Sequence, residues 1–296
     1  MKKTTSLASE QEAKRRLFVE RVAKPVYMWL AAFGLNPLAL RYALKGLVVT
    51  LRDFFALKRQ NRAAGEPFRI RFTMPCLSDR YESSGNTRGH YFYQDLWVAR
   101  RIFERKPARH VDVGSRVDGF VAHVAAFREI EVFDIRPLTL AMPSIVFRQM
   151  DLMNTPDQFK ECCDSLSCLH AIEHFGLGRY GDPVDLNGHV KGFRSVGELL
   201  KPGGVLYFSV PIGPERIDFN ANRVFALKTI LELVTGCFEV EGFSYVDDSG
   251  DLHEQVTLTA EMIEMNLGCQ YGCGIFELRK KGAGHRTAHV AGTRSQ

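Results

Sequence analysis

The sequence predicts an α/β protein, a doubly wound, mostly parallel seven-stranded sheet with a helical N-terminal extension. Two observations carry this. Short apolar, β-rich runs alternate with stretches of helical spacing from Val111 to Leu278, and strands separated by helices run parallel with right-handed crossovers. The second is one stretch, His110-Val111-Asp112-Val113-Gly114-Ser115-Arg116-Val117-Asp118-Gly119-Phe120, in which an apolar strand enters a glycine-bearing turn and then a helix.

The elements follow in chain order. Met1 to Arg16 is polar and charged and lacks the apolar core of a signal peptide, which points to a cytoplasmic protein. The apolar segment Val26 to Leu40 is broken by Gly34, Asn36 and Pro37 and is too short to span a bilayer. Leu40 to Leu57 reads as an amphipathic helix, with Leu40, Leu44, Leu47, Val48, Leu51 and Phe55 on one face and Lys45, Arg52 and Lys58 elsewhere. Such a helix suits peripheral contact with the inner face of a membrane; packing on the rest of the chain is the plainer alternative. Asn61 to Pro67 reads as a linker. The expected division is an extension over 1–66, an α/β domain over 67–281 and a disordered basic tail over 282–296.

Arg71 to Gly89 is irregular and polar. The next segment, His90 to Glu104, is a helix whose Leu96, Trp97, Ala99 and Ile102 can cover a sheet edge, and His90 and Tyr93 either face a ligand or lie in a solvated loop. Arg109 to Val113 is the first strand. Val117 to Phe127 has apolar residues at 117, 120, 121, 124 and 127 and reads as a helix. Strands follow at Ile130 to Phe133, ending at Asp134, at Ile145 to Met150, ending at Asp151-Leu152, and at Asp164 to Leu169, with a short helix over Asp157 to Cys163. Leu186 to Leu200 is helical, and Gly204 to Val210 is a fifth strand stopped by Pro211. A helix to Val234, a strand over Phe238 to Val246, a turn at Asp247 to Gly250 and a last strand over Gly272 to Lys280, paired beside its predecessor, complete the domain.

Ligands of such sheets gather at the carboxyl ends of the strands, where Gly114, Asp134, Asp151, His170 and Pro211 all fall. Glycine lets a backbone approach a ligand, and Asp134, twenty residues after Gly114, is spaced to accept two hydrogen bonds from a ribose diol. The composition, 296 residues with 45% hydrophobic and 25% charged, suits one such core with an appendage. The net charge of +5 gathers at the two ends, and no basic stripe with interleaved aromatics runs through the middle, which argues against nucleic acid. The seven cysteines show no zinc-ribbon spacing and read as reduced thiols.

Together, Val111-Asp112-Val113-Gly114, Asp134, Asp151-Leu152, the stretch Asp164 to His174 and Leu199-Leu200-Lys201-Pro202-Gly203-Gly204-Val205-Leu206 resemble the class I S-adenosylmethionine-dependent methyltransferases. The resemblance covers roughly residues 90 to 280. It implies a Rossmann-like fold with a reversed last strand and S-adenosylmethionine as cofactor. It further implies that Asp112 and Gly114 shape the methionine pocket, Asp134 holds the ribose and Asp151 and Leu152 meet the adenine. Gly119 and His170 belong to the same wall. Where the family usually has a second glycine this chain has Arg116, suited to the cofactor carboxylate or to a phosphate-bearing ligand. Within the class, the phrases Asp112 to Phe120, Gly176 to Pro183 and Phe219 to Arg223 resemble the group called domain of unknown function 268.

His170-Ala171-Ile172-Glu173-His174 also matches an inverted zinc-protease motif, for which His189 or Asp182 would be the third ligand, but it leaves a strand instead of lying on a settled helix; no metal is expected. In a methyltransferase this position lies beside the transferable methyl, so Glu173 and His174 would touch substrate. The loop Gly176 to Pro183, with Arg179, Tyr180 and Asp182, and the segment Pro211 to Arg223, with Asn220, form polar walls. They suit a hydroxylated small molecule or glycan as methyl acceptor, with O-methylation favoured. The expected general base is His174, then His189, with Glu173 orienting the imidazole or substrate and Arg179, Tyr180, Asp182 and Asn220 positioning hydroxyls. A nucleotide or nucleotide-sugar enzyme, and a binding protein that kept the fold without catalysis, are the alternatives.

Overall fold

The structure is a computed structural model that describes residues 23–282 except 86 and 140. The segment Met1 to Arg16 and, from residue 283 on, the expected basic tail lie outside the described residues. The chain divides into two compact units, 1–85 and 86–296.

The first unit is built on α1 (Lys24–Ala32) and α2 (Pro37–Ala63). The same three residues that break the apolar run make the corner between them. Gly34 takes φ +78, the Asn36 side chain accepts from the Ala39 amide at 3.0 Å, and Pro37 opens α2 where no amide donor is required. The Asn61 side chain exchanges two hydrogen bonds with the Phe68 backbone, at 2.9 and 3.2 Å, and the chain returns along α2. Phe72 packs on Phe54 with ring centroids 4.9 Å apart, and Leu77 lies so close to Gly46 that a Cβ there would collide with its carbonyl. Asn61 to Pro67, expected as a linker, is therefore the end of α2 and the turn after it, inside this unit. Among the described residues no helix is long and apolar enough to cross a membrane.

The second unit begins with α3 (His90–Arg105), followed by β1 (His110–Val113), a tight helical turn at Val117–Val121, α4 (Ala122–Ala125), β2 (Ile130–Asp134) and β3 (Ile145–Gln149). Then come β4 (Cys163–Leu169), α5 (Gly188–Leu199), β5 (Leu200–Ile212), a hairpin of β6 (Arg216–Asp218) and β7 (Asn222–Val224), and α6 (Leu227–Thr235). The chain finishes with β8 (Phe238–Val246), β9 (Leu252–His253), α7 (Ala260–Glu264) and β10 (Gly272–Lys280).

The sheet order is β3-β2-β1-β4-β5-β10-β8-β9. The first five strands of this order are parallel, and β10 runs antiparallel to both β5 and β8. This is the Rossmann-like methyltransferase fold, with its seven strands and reversed last strand, plus the two-residue β9 at the edge. Two local expectations are corrected. The helix expected over Asp157 to Cys163 is a single turn at Asp157–Phe159, because Cys163 already pairs with Leu200 in the sheet. Pro211 does not stop β5. The pairing of β5 with β4 ends at Ser209, so beyond it the strand tolerates a missing amide and continues to Ile212 against β10.

Burial on both faces explains the near-continuous apolar strands. On one face Leu166, Phe208 and Phe276 pack against Phe193 of α5 and Ile230 of α6; on the other Tyr207 and Ile275 pack with Val98 and Ile102 of α3 and with Phe120. A carboxylate of β10 enters this core. Glu277 of β10, its side chain 2% exposed, receives Arg101 at 3.0 and 3.1 Å and is also paired with Arg105 from α3. Both arginines keep about a third of their surface in water (33% and 31%). Removing them strands a buried charge, whereas neutralising Glu277 lets them turn outward. Arg101→Ala with Arg105→Ala should therefore cost on the order of 3–5 kcal/mol in urea denaturation and Glu277→Gln clearly less. Equal losses would show that the pair's charge is irrelevant to the packing of α3.

Candidate active site

The site is built on the end of β1. Asp112 is fully buried; its Oδ1 accepts from the hydroxyls of Ser167 (2.6 Å) and Ser115 (2.8 Å), and its Oδ2 from the Ser115 amide (3.0 Å). Burial pushes its carboxyl up to about 7 against the pull of these donors. Asp112 thus holds the turn from beneath and does not face the ligand space. The turn itself passes through Gly114, at φ +76, whose amide donates to the Phe133 carbonyl at 2.9 Å. A Cβ on Gly114 would stand 2.9 Å from the Cβ of Ala171, so the turns after β1 and β4 are in contact.

Above them lies a cavity of about 520 Å³ at the carboxyl ends of the strands. Of the residues singled out from the sequence, Gly114, Arg116, Gly119, Asp134, Asp151, Leu152, His170, His174, Arg179, Tyr180 and Asp182 all line it. Val113, Phe120, Phe133, Met150 and Leu169 add apolar surface.

Asp134, at the tip of β2, carries an unforeseen partner. Arg136 donates to it from its amide (2.8 Å), Nε (3.0 Å) and Nη2 (2.5 Å), and its guanidinium lies 4.4 Å from the centroid of the Tyr180 ring. A carboxylate offers about four acceptor positions, so room remains for a hydroxyl. Arg116 is likewise engaged, in an exposed pair with Asp118 at 2.7 Å. Asp151 accepts from the Met153 amide at 2.9 Å, which fixes its carboxylate after β3.

On the other side of the cavity the chain leaves β4 through His170 at φ +48, a conformation uncommon for histidine. Its Nδ1 donates to Glu173 Oε1 at 2.7 Å. Burial opposes charge on this ring, but Cys273 and Glu173 beside it hold its pKa well above the usual value. Glu173 is itself buried behind the cavity wall and touches His170 instead of the ligand space. His174 does face the cavity. Its Nδ1 donates to the Ala221 carbonyl at 2.7 Å, which leaves Nε2 with the lone pair of a neutral ring. Burial, with Arg179 beside it, lowers its pKa.

The loop that follows is organised by two residues. Asp182 accepts from the amides of Gly176 (2.7 Å), Gly178 (3.2 Å) and Tyr180 (3.2 Å), so its carboxylate is committed to shaping the loop. Arg223, a buried residue of β7, donates to the carbonyls of Phe175 (2.6 Å), Glu173, Leu186 and Asp185. Besides Asp112 and Glu173, His189 and Asn220 are not brought to the cavity. His189 packs its ring against Phe225, 5.5 Å between centroids, because it sits in the first turn of α5 on the far side of this brace. Asn220 is exposed at the tip of the β6–β7 hairpin.

Sequence reasoning missed Tyr91, Gln94, Asp95 and Arg136, all on the cavity wall. The available signal was a polar pair, Gln94-Asp95, interrupting the apolar face of α3. Both are buried: Gln94 accepts from Ser209 Oγ at 2.6 Å and donates to Asp95 at 3.1 Å, and burial raises the Asp95 pKa. His90 and Tyr93, expected to face a ligand, do not line this cavity.

No curated protein matches the chain in sequence. The family described as Caenorhabditis protein of unknown function, DUF268, matches residues 137–280, so the resemblance read at Gly176 to Pro183 and Phe219 to Arg223 stands over that segment. Among solved structures, the chain is similar to the (4+2)-cyclase SpnF, with 14% identity, a TM-score of 0.46, and 79% of this chain and 96% of that chain covered. It is also similar to the N-methyltransferase NodS from Bradyrhizobium japonicum WM9 in complex with S-adenosyl-L-homocysteine, with 12% identity, a TM-score of 0.44, and 66% and 89% covered. A third is 1,6-didemethyltoxoflavin-N1-methyltransferase from Burkholderia thailandensis, with 15% identity, a TM-score of 0.45, and 65% and 84% covered. Likeness of this degree assigns no chemistry.

The contact between the two turns is open to a double-mutant test. Gly114→Ala should cost roughly 1–3 kcal/mol, part from positive φ and part from the Ala171 methyl. Adding Ala171→Gly should recover the steric part only. Losses that simply add in chemical denaturation would mean that the turns do not touch.

Proposed function

We propose that this cavity binds S-adenosylmethionine and that the chain transfers its methyl group to a polar, hydroxylated small molecule or glycan. The observation that carries the reading is the convergence on one cavity of Gly114, Asp134, Asp151 and the buried, neutral-partnered Asp95. A buried carboxylate that accepts from a neutral side-chain amide fits a cationic group, and the α-ammonium of the methionine moiety supplies one. Arg116, freed from its exposed pair with Asp118, would meet the α-carboxylate; Asp134 with Arg136 would hold the ribose; Asp151 and Leu152 would meet the adenine. When bound, the cofactor supplies an electrophilic methyl group. A nucleotide phosphate is less well served, since Arg136 is paired with the buried Asp134 and Arg179 donates to the Ala221 carbonyl at 2.8 Å, which leaves Arg116 alone to meet it.

His174 Nε2 is the base we assign. Neutral at ordinary pH, it can take the proton of an acceptor hydroxyl as the oxygen attacks, an effect worth on the order of a hundredfold to ten-thousandfold. Arg179 and Tyr180, on the same wall, position the acceptor.

Titration calorimetry separates the readings. S-adenosylmethionine and its demethylated product should bind at micromolar level, nucleotide diphosphates should not, and Asp134→Ala should weaken binding at least about tenfold. Tighter binding of a nucleotide diphosphate than of the methyl donor would sink the proposal. With an acceptor in hand, the pH profile of kcat/KM reports the base. Because the His174 pKa is lowered, activity should rise with pH along a limb centred below 6.5, the ordinary histidine value, and be at its plateau by neutrality. The groups facing this ring are Glu173, Arg179, Tyr180 and His170. His174→Ala should keep cofactor affinity while losing both turnover and that limb.

The first unit supports a further proposal, peripheral contact with an anionic membrane surface. Trp29 and Val48 are exposed on helices that also carry Lys24, Lys45 and Arg52, and Phe33 is exposed just past the end of α1. Vesicles containing anionic lipid should carry the protein upward in flotation, and deletion of residues 1 to 60 should abolish this. Unchanged flotation after the deletion rejects the idea.

A further inference from the structure

One cluster of donor atoms has no task in the reading above. His90, the first residue of α3, His170, just past the end of β4, and Cys273, in β10, are distant in sequence, yet their ligand atoms lie within 4.8 Å of one another. His170 and Cys273 are buried and His90 is half-buried. The two imidazoles stack with centroids 5.1 Å apart and planes 4° from parallel.

Two details of His170 point to a missing ligand. Its Nε2 is buried without a hydrogen-bond partner among the described residues, a rare condition for a polar atom in a folded interior. Its Nδ1 donates to Glu173 at 2.7 Å, the carboxylate–histidine arrangement that turns the opposite nitrogen toward an ion. The backbone reinforces this, because His170 is held at φ +48, a conformation that persists where surrounding structure enforces it.

We propose that His90, His170 and Cys273 bind a zinc(II) ion, with Glu173 as the carboxylate that orients His170. Two imidazoles and a thiolate form a borderline-soft donor set that suits zinc and excludes magnesium and calcium, which take oxygen ligands. Three protein donors leave a fourth position for an exchangeable ligand. The cluster lies in the wall between two spaces: His170 lines the main cavity, and His90 lines a shallower recess with Tyr271 and Asp247. Tetrahedral zinc would separate these donors by roughly 3.3–3.6 Å, against separations of up to 4.8 Å here, so binding draws them closer and releases the protons of Cys273 and His170 Nε2. Gly114, Asp134 and Asp151 take no part, so this site and the methyl-donor reading stand or fall separately.

The test uses the full chain, stripped with a chelator and titrated with cobalt(II), then with zinc(II) in competition. One equivalent per chain should bind, with intense visible bands of a tetrahedral complex and a thiolate-to-cobalt charge-transfer band. Cys273→Ser should remove the charge-transfer band and His90→Gln should weaken zinc binding on the order of a hundredfold. Glu173→Gln should keep the band and weaken binding about 10–100-fold, as loss of an orienting carboxylate does. Circular dichroism of each variant establishes that it is folded. A folded wild type without the charge-transfer band, or one whose cobalt spectrum survives unchanged in Cys273→Ser, overturns the proposal. Binding of S-adenosylmethionine, measured on the same stripped samples, tells failure of the metal site from failure of the methyl-donor reading.

Discussion

The cavity depends on a carboxylate that never reaches it. Asp112 lies wholly buried one residue before the end of β1, and an ionised carboxylate in that position is tolerated only when donors surround it. Ser167 comes from β4, the neighbouring strand, and Ser115 from the turn that follows β1. One side chain therefore ties the turn to the strand beside it, and His110 extends the tie through Ser167 (3.2 Å) and Ser165 (2.8 Å). With the turn so held, Gly114 presses against Ala171 and the rims after β1 and β4 become one wall. Any larger residue at Gly114 meets both a positive φ and a methyl group, so the sequence there follows from packing before any ligand is considered.

Charge is distributed over that wall in pairs. Asp134 holds Arg136, Asp118 holds Arg116, and Asp182 spends its oxygens on the amides of its own loop. These contacts occupy much of the charge facing the cavity, while Asp95 and Asp151, whose donors are amide groups, have no ion pair among the described residues. A ligand that brings a diffuse negative charge would have to break existing pairs, whereas one that brings hydroxyls, a ring system and a single cation finds acceptors already in place. This is the physical basis for preferring a nucleoside with an ammonium group over a nucleotide.

Much of this was legible in the sequence because the signals were local. The strand ends at Val113, Asp134 and Leu169 follow from short apolar runs closed by polar or glycine residues, and the positive φ of Gly203, near the start of β5, follows from Lys-Pro-Gly-Gly. What failed depended on partners remote in sequence. Pro211 reads as a stop until β10 is seen beside it and β4 is seen to end. His189 reads as a base until α5 is placed, when its ring turns to Phe225. Glu173 reads as a substrate contact, but its carboxylate is drawn inward to His170. Gln94, Asp95 and Arg136 could not be assigned to a wall without knowing that α3 lies along the same rim as β2, a fact of crossover geometry that no window of residues contains.

That placement makes α3 the element through which the unit's parts communicate. Its C-terminal end is fastened to β10 by Arg101 and Arg105 on Glu277, and its N-terminal turns supply Tyr91, Gln94 and Asp95 to the cavity and His90 to the stack on His170. Gln94 closes the circuit: it accepts from Ser209 Oγ, and the same hydroxyl accepts from the His170 amide at 3.1 Å. The position of the residue that leaves β4 is thus set jointly by β5 and α3, not by its own strand alone. A shift of α3 along the sheet would move the Asp95 carboxylate and the His170 ring together, because the hydrogen bonds that carry both share one serine. Rigid packing of a helix far from any reacting atom is in this way a condition for the geometry of the rim, and it explains why a buried carboxylate with two arginines is kept in a core that an apolar residue could otherwise fill.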